Sequence, residues 1–197
     1  MSFRKERKFR LTSSSAKDLK ASLPGKGMTL LHPDRKITSQ YFDTFDLRAY
    51  TDSEEGVLPR FKVRIRWYND DQRQMTFERK VSSVEGRFKT MKPITQDDFN
   101  KMIRSGCFDR DYGRITPSVQ ISYERSYFQY ENMRVTFDRN ISYRFARSAR
   151  AYRDMEEVVE IKVPQDMSDD YLEQVVPVPA SRFSKYARAF LHREHAV

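Results

Sequence analysis

With one cysteine in 197 residues, Cys107, the chain has no internal disulfide, and nothing in the sequence marks that thiol as reactive. Such scarcity suits a reducing compartment, so a cytoplasmic location is expected. No stretch approaches the roughly 18 consecutive apolar residues of a membrane helix. The opening Met-Ser-Phe-Arg-Lys-Glu-Arg-Lys lacks the apolar run of a secretory leader, so neither a signal peptide nor a membrane span is expected. His32, His192 and His195 are scattered, which excludes a Cys/His metal cluster. No Ser–His or Cys–His nucleophile pairing is visible. Low-complexity linkers and internal repeats are missing too, and a single domain over residues 1–197 is the expectation.

What the chain does carry is charge. Charged residues make up 33% of it against 38% hydrophobic, and the net charge is +9 with a pI near 9.6. A balance so basic points to an anionic partner: nucleic acid, a membrane surface or phosphate-rich small molecules.

The cations follow a pattern. Lys62, Arg64 and Arg66 fall two apart with Val63, Ile65 and Trp67 between them. After the turn Asn69-Asp70-Asp71 come Thr76, Glu78 and Lys80, with Phe77 between the first two. Period-two alternation means a strand whose successive side chains point to opposite faces. One face of this hairpin is therefore apolar and the other a row of Lys, Arg and one Glu. Tyr123-Arg125-Tyr127, Arg134-Thr136-Asp138 and Glu160-Lys162 repeat the arrangement.

Further strands are expected at residues 4–11, 37–44, 86–92, 117–129, 132–138, 141–147 and 157–163. Helices are expected over Ser13–Leu23, closed by Pro24-Gly25, and from the Thr95-Gln96-Asp97-Asp98 capping box to Arg104, ended by Gly106. Two more should start at Ser168 and run from Arg182 to His192, while the segment holding Gly56 and Pro59 reads as irregular. Eight or nine strands against three or four helices give an α+β domain dominated by an antiparallel sheet, which as an eight-stranded β-barrel would have a few flanking helices.

For one strand alone, a solvated charged face is the default. For the set, Arg interleaved with Tyr and Thr reads as a hydrogen-bonding lining, and the carboxylates are few and singly placed. A closed barrel of about eight strands holds one small ligand, and an interior packed with cations repels itself unless an anion fills it. A basic tunnel needs a polyphosphate.

In these residues the chain resembles the triphosphate tunnel metalloenzymes, and within them the VTC (vacuolar transporter chaperone), or polyphosphate-polymerase, domain. The resemblance is carried by Glu6-x-Lys8-Phe9, Tyr41-Phe42-Asp43-Thr44, Lys62-x-Arg64-x-Arg66-x-Tyr68 and Glu78-x-Lys80. It continues through Tyr123-x-Arg125, Arg134-Val135-Thr136-Phe137-Asp138, Val159-Glu160-Ile161-Lys162 and Phe183-Ser184-Lys185-Tyr186. Eight such matches in order cover nearly the whole chain. The related CYTH branch is less similar: its first strand carries Glu-x-Glu-x-Lys, and Arg4 stands at the first of those positions.

The resemblance implies an eight-stranded tunnel, a divalent metal (Mn²⁺ or Mg²⁺) and ATP, inorganic triphosphate or polyphosphate as partner. It implies that Arg64, Arg66, Lys80, Arg125, Arg134 and Lys185 act on the reacting phosphates. Lys8, Lys62, Lys89, Lys92 and Lys162 would be further phosphate contacts. Glu160 would be the metal ligand, with Glu6 and Glu78 as secondary candidates; for Glu78 an ion pair to a nearby Arg is an equal alternative. Lys185 would sit at a tunnel mouth, against the default of a solvated helix lysine. Arg139, Arg144, Arg147, Arg150 and Arg153 match no motif and read as surface or rim charge.

Phosphoryl transfer needs in-line positioning and neutralisation of spreading charge, which cations and a metal supply. If the acceptor is a phosphate chain, the protein is a polyphosphate polymerase; if water, a triphosphatase. A non-catalytic polyphosphate-binding module, with or without a membrane-protein partner, is the third reading. Nucleic-acid binding is disfavoured, because the Lys62-Arg64-Arg66 row holds no aromatic until Tyr68.

Overall fold

A computed structural model of the chain describes residues 4–191 and, within them, every side chain but those of Arg4 and Lys26. His192, where the last helix is expected to end, and His195 lie outside those residues. The first elements are strand β1 (Arg4–Thr12), helix α1 (Ser13–Ser22), strand β2 (Thr29–Asp43) and helix α2 (Arg48–Glu55). Three strands follow, β3 (Arg60–Tyr68), β4 (Asp71–Ser83) and β5 (Gly86–Ile94), then helix α3 (Gln96–Ser105). After these come the short β6 (Cys107–Asp109), the long β7 (Gly113–Tyr130) and β8 (Met133–Phe145). The last elements are β9 (Tyr152–Arg153), β10 (Glu156–Pro164), α4 (Asp169–Val175) and α5 (Lys185–Leu191).

Eight strands pair in the order β1-β10-β8-β7-β2-β3-β4-β5, while β6 pairs β7 and β9 pairs β8. This is the α+β class with an eight-stranded antiparallel sheet that the alternation implies. Among the described residues no helix is long and apolar enough to cross a membrane. The chain divides into two compact units, each built from three chain segments. The first takes residues up to Arg35, Tyr123–Ile141 and Arg153–Phe183; the second takes Lys36–Ser122, Ser142–Tyr152 and the segment from Ser184.

In the first unit one face of the sheet is the core. Phe9 and Leu11 of β1, Val159, Ile161 and Val163 of β10, and Val135 and Phe137 of β8 pack with Ala16 of α1 and with Leu172 and Val175 of α4. Alternation sends Glu6, Lys8, Glu160, Lys162, Arg134, Thr136 and Asp138 to the other face. Thr12 caps α1 by accepting from Ser15 N, and Ser168 caps α4 by accepting from Tyr171 N.

In the second unit Phe42, Val63, Ile65, Trp67, Met75 and Ile115 form a core cluster, against which Phe99, Met102 and Ile103 of α3 pack. The β3–β4 hairpin closes through Asn69 and Asp70, at φ 51° and 59°, the left-handed pair that a tight two-residue turn requires. Helix α3 carries the expected capping box of Thr95 and Asp98. It ends at Gly106 (φ 71°), where an added Cβ would lie 2.3 Å from the Ile115 carbonyl oxygen. Gly106→Ala should therefore destabilise the fold by about 2 kcal/mol or more, read from the urea midpoint. An unchanged midpoint would mean that the α3–β7 approach is looser than these contacts imply.

Three boundaries differ most from the sequence expectations, beyond shifts of three or four residues at the starts of β7 and α5. The segment read as irregular contains α2, whose Ncap Leu47 makes no side-chain cap. Side chains from the end of β2 cap it instead: Asp43 accepts from Ala49 N and Tyr50 N, and Thr44 Oγ1 accepts from Arg48 N. The strands expected at 132–138 and 141–147 are one strand, β8, because Asn140 takes φ 53° without ending it. Strand β2 begins at Thr29, eight residues before the expected Ile37, through an exposed stretch that includes Pro33.

Candidate functional site

In the second unit, antiparallel register sets the cations of three strands side by side. Lys62 lies opposite Lys80, and Lys80 opposite Lys89. One step along, Arg64 faces Glu78, and one step further Arg66 faces Thr76. Like charges directly across a ladder destabilise it. Three lysines in one cross-strand row are therefore a standing demand for an anion.

The row is not a bland solvated surface. Arg64 is 7% exposed and Glu78 1%. Arg64 Nε and Nη2 donate to Glu78 Oε2 at 2.8 and 2.5 Å, and Arg64 Nη1 donates to Tyr41 Oη at 2.8 Å. Arg66 Nε donates to Ser39 Oγ at 3.2 Å, and its Nη1 stands 4.0 Å from Glu78 Oε1. Burial alone would raise the Glu78 carboxyl, but the Arg64 and Arg66 charges hold it below its usual value. For Glu78 the ion-pair alternative is thus what the geometry realises, and a carboxylate committed to Arg64 is a poor metal ligand.

On the same face lies a chain of hydrogen bonds. Tyr41 stacks on Tyr186 of α5, ring centroids 4.9 Å apart, and Tyr186 Oη donates to Asp43. Lys62 Nζ donates to Ser184 Oγ at 2.9 Å, beside the Tyr186 ring. Lys185, the next residue, opens α5.

In the first unit, Glu6 and Glu160 share two lysines. Lys8 Nζ is 3.0 Å from Glu6 and 3.8 Å from Glu160, while Lys162 Nζ is 3.2 Å from Glu160 and 3.7 Å from Glu6. Burial and the Glu6 charge raise the Glu160 carboxyl, but Lys162, Lys8 and Arg125 together bring it below its usual value. Nearby, Arg125 grips the buried Asp138 with Nε–Oδ1 at 2.5 Å and Nη2–Oδ2 at 2.7 Å. Arg134 is exposed and lies over the Tyr127 ring at 5.7 Å.

Two adjacent carboxylates, one of them nearly buried, fit a hard divalent cation that keeps several waters and shares the rest of its shell with phosphate oxygens. Among the described residues no group of three or more His, Cys, Asp or Glu side chains gathers to hold a metal alone. The donor set suits Mg²⁺ or Mn²⁺ bound jointly with a ligand, not a closed structural site.

Register also separates the lysines of β5. Lys89 pairs with Lys80 and shares the cation face, whereas Lys92 pairs with Phe77 and lies on the opposite face. Lys92 is therefore removed from the expected phosphate contacts. Arg87 lies two residues before Lys89 on the cation face, and Arg60 two before Lys62. The sequence reading missed both, although alternation carried back two residues from Lys89 and Lys62 would have found them. Tyr41 and Tyr186 belong to the motifs of the resemblance, and nothing local in the sequence shows their stacking. Arg139, one of the cations without a motif, pairs with Glu124 and Asp34. Burial and the neighbouring Asp109 push the Cys107 thiol up to about 11, which keeps it inert.

The crowding leaves a pH signature. Exclusion of water and the Arg64 charge bring the Lys80 amine down to about 7, although its side chain still reaches solvent. Burial would raise the Tyr41 phenol, but Arg64, Arg66 and Lys80 outweigh it and bring it down to about 7. Both groups hold fewer protons folded than unfolded from about pH 7 to about pH 10, so stability should rise with pH across that window. After discounting for solvent around Lys80, the gain from pH 7 to 9 should be on the order of 1–2 kcal/mol by urea unfolding, and Lys80→Met should reduce it, leaving the part that Arg64 and Arg66 impose on Tyr41. A fall over the same window would contradict the crowding.

A sequence model of the VTC domain matches residues 3–192 of the chain. No curated protein matches it. Among solved structures, an adenylate-cyclase-like protein of Bacillus halodurans superposes with TM-score 0.65 at 16% identity, covering 96% of this chain and 98% of that one. An adenylate-cyclase-like protein of Vibrio parahaemolyticus gives 0.55 at 13% identity, over 96% and 98%. A protein of Pyrococcus horikoshii gives 0.53 at 11%, over 96% and 99%. At such identities the likeness is one of fold.

Proposed function

Because the chain belongs to the VTC domain family, we propose that it transfers a phosphoryl group from a nucleoside triphosphate to a growing polyphosphate chain, with a divalent cation. The observation that carries this reading is the length of the cation face. Arg60, Lys62, Arg64 and Arg66 alternate along β3 on one face. Six residues of strand extend about 20 Å. That is longer than one triphosphate, and Lys80, Lys89 and Arg87 widen the row across β4 and β5.

In this reading Arg64 and Arg66 meet phosphate oxygens with planar N–H pairs, and Lys62, Lys80 and Lys89 act as point charges. Arg125, Arg134, Lys8 and Lys162 are the first unit's phosphate contacts, and Glu160 with Glu6 would hold Mn²⁺ or Mg²⁺. Such a cation, when bound, neutralises charge spreading over the transferred group. Glu78 keeps Arg64 oriented, and Lys185 guides the chain of phosphates. The aromatics beside the row support this reading over nucleic-acid binding. Tyr41 and Tyr186 are buried against each other, so neither presents a face for a base.

With ATP and Mn²⁺, the expected products are ADP and a phosphate chain long enough to resolve on a gel. GTP should serve about as well, since no feature of the sequence reads a purine. Lys185→Ala should slow chain growth more than it weakens nucleotide binding. Orthophosphate as the sole product would make the protein a triphosphatase, and binding without turnover would make it a polyphosphate-binding module.

A further inference from the structure

Arg64 is the most firmly held cation of the β3–β5 face. A guanidinium offers five N–H donors in a planar fork. Glu78 takes two of them and Tyr41 a third. Glu78 fixes one edge of the plane and Tyr41 the opposite corner. With only Glu78 in place, the fork could pivot about that carboxylate.

Tyr41 is itself fixed. It lies opposite Arg64 in the β2–β3 register, and its ring stacks on Tyr186. Tyr186 in turn donates to Asp43, the carboxylate that caps α2. The charged and titratable groups around the Tyr41 oxygen are Arg64 and Arg66 from β3, Lys80 and, behind Arg64, Glu78 from β4, and Tyr186 from α5. Three cations surround one phenol. That setting favours an oxygen that accepts hydrogen bonds over one that donates.

We propose that Tyr41 is a positioning residue for phosphate binding: its oxygen accepts from Arg64 Nη1 and holds the guanidinium at a fixed angle on the cation face. This rests on the reading of the β3–β5 face as a phosphate site. Loss of the Tyr41 proton sets an opposite charge against the Arg64 guanidinium, so the hold on Arg64 tightens as Tyr41 ionises near neutral pH.

The test pairs a binding measurement with one that needs no ligand. Tyr41→Phe keeps the ring and removes the oxygen. By calorimetry with tripolyphosphate, it should weaken binding about tenfold at pH 8 and about threefold at pH 6. In an Arg64→Ala background, Tyr41→Phe should have no further effect. Separately, ¹³Cζ-tyrosine NMR should show one resonance, absent from Tyr41→Phe, that titrates near neutral pH and moves to higher pH in Arg64→Ala. Unchanged binding in Tyr41→Phe, or losses that simply add in the double variant, would overturn the proposal. If the wild-type protein binds no tripolyphosphate, the functional reading fails and the NMR titration decides alone. A Tyr41 resonance indifferent to Arg64→Ala would then overturn the Tyr41–Arg64 hold, and one that moves would sustain it.

Discussion

Glu160→Gln is expected to cut metal-dependent turnover of ATP by about a hundredfold or more while leaving tripolyphosphate binding nearly intact. The substitution keeps the size of the side chain and removes its charge. Glu160 is 8% exposed and sits between Lys8 and Lys162, whose charges hold its pKa down against the opposing charge of Glu6. A site of two carboxylates and two ammonium groups is balanced for one more cation only when phosphate arrives with it, so losing one carboxylate should cost the metal first. Binding should survive because Arg64 and Arg66 owe nothing to Glu160: Glu78, Tyr41 and Ser39 hold them. The variant should also fold, because Glu160 lies on the sheet face opposite the first unit's apolar core. Near-normal metal-dependent turnover in a folded Glu160→Gln protein would pass the metal role to Glu6.

The second large effect is on stability. With Lys62, Lys80 and Lys89 in one cross-strand row, the face repels itself until an anion binds. A ligand that binds only the folded state at a hundred times its dissociation constant adds about 2.7 kcal/mol, which for a chain of this size raises the melting temperature by roughly 5–10 °C. Tripolyphosphate should produce that shift, sulfate at equal charge only a small part of it, and Arg64→Ala should remove most of it. Equal shifts from sulfate and tripolyphosphate would mean diffuse attraction to a chain of net charge +9.

Alternation made much of this legible in advance. A strand with period-two charge has no freedom about which residues share a face, so Lys62, Arg64 and Arg66 could be grouped from the sequence alone. Cross-strand pairing is another matter, because it depends on where each turn closes. Gly86 opens β5 opposite Ser83, and that one register decides that Arg87 and Lys89 join the face while Lys92 leaves it. Helix α2 was hidden for a similar reason. Its cap comes from Asp43 and Thr44 at the end of the preceding strand, so the local sequence before Arg48 carries no signal. The strand was expected to break between residues 138 and 141, yet a single left-handed residue, Asn140, lets β8 run on to Phe145. The commitments of Arg64 to Tyr41 and of Arg125 to Asp138 are tertiary facts, beyond any spacing rule.

A diffraction measurement on crystals grown with tripolyphosphate and Mn²⁺ tests the central claim most directly, since anomalous scattering locates the metal while the phosphates appear in ordinary density. The expected result is a phosphate chain on the face that carries Lys62, Arg64, Arg66, Lys80 and Lys89, with manganese at the Glu160 carboxylate. Phosphate on the opposite face, beside Lys92, or manganese bound away from both Glu160 and Glu6, would contradict it.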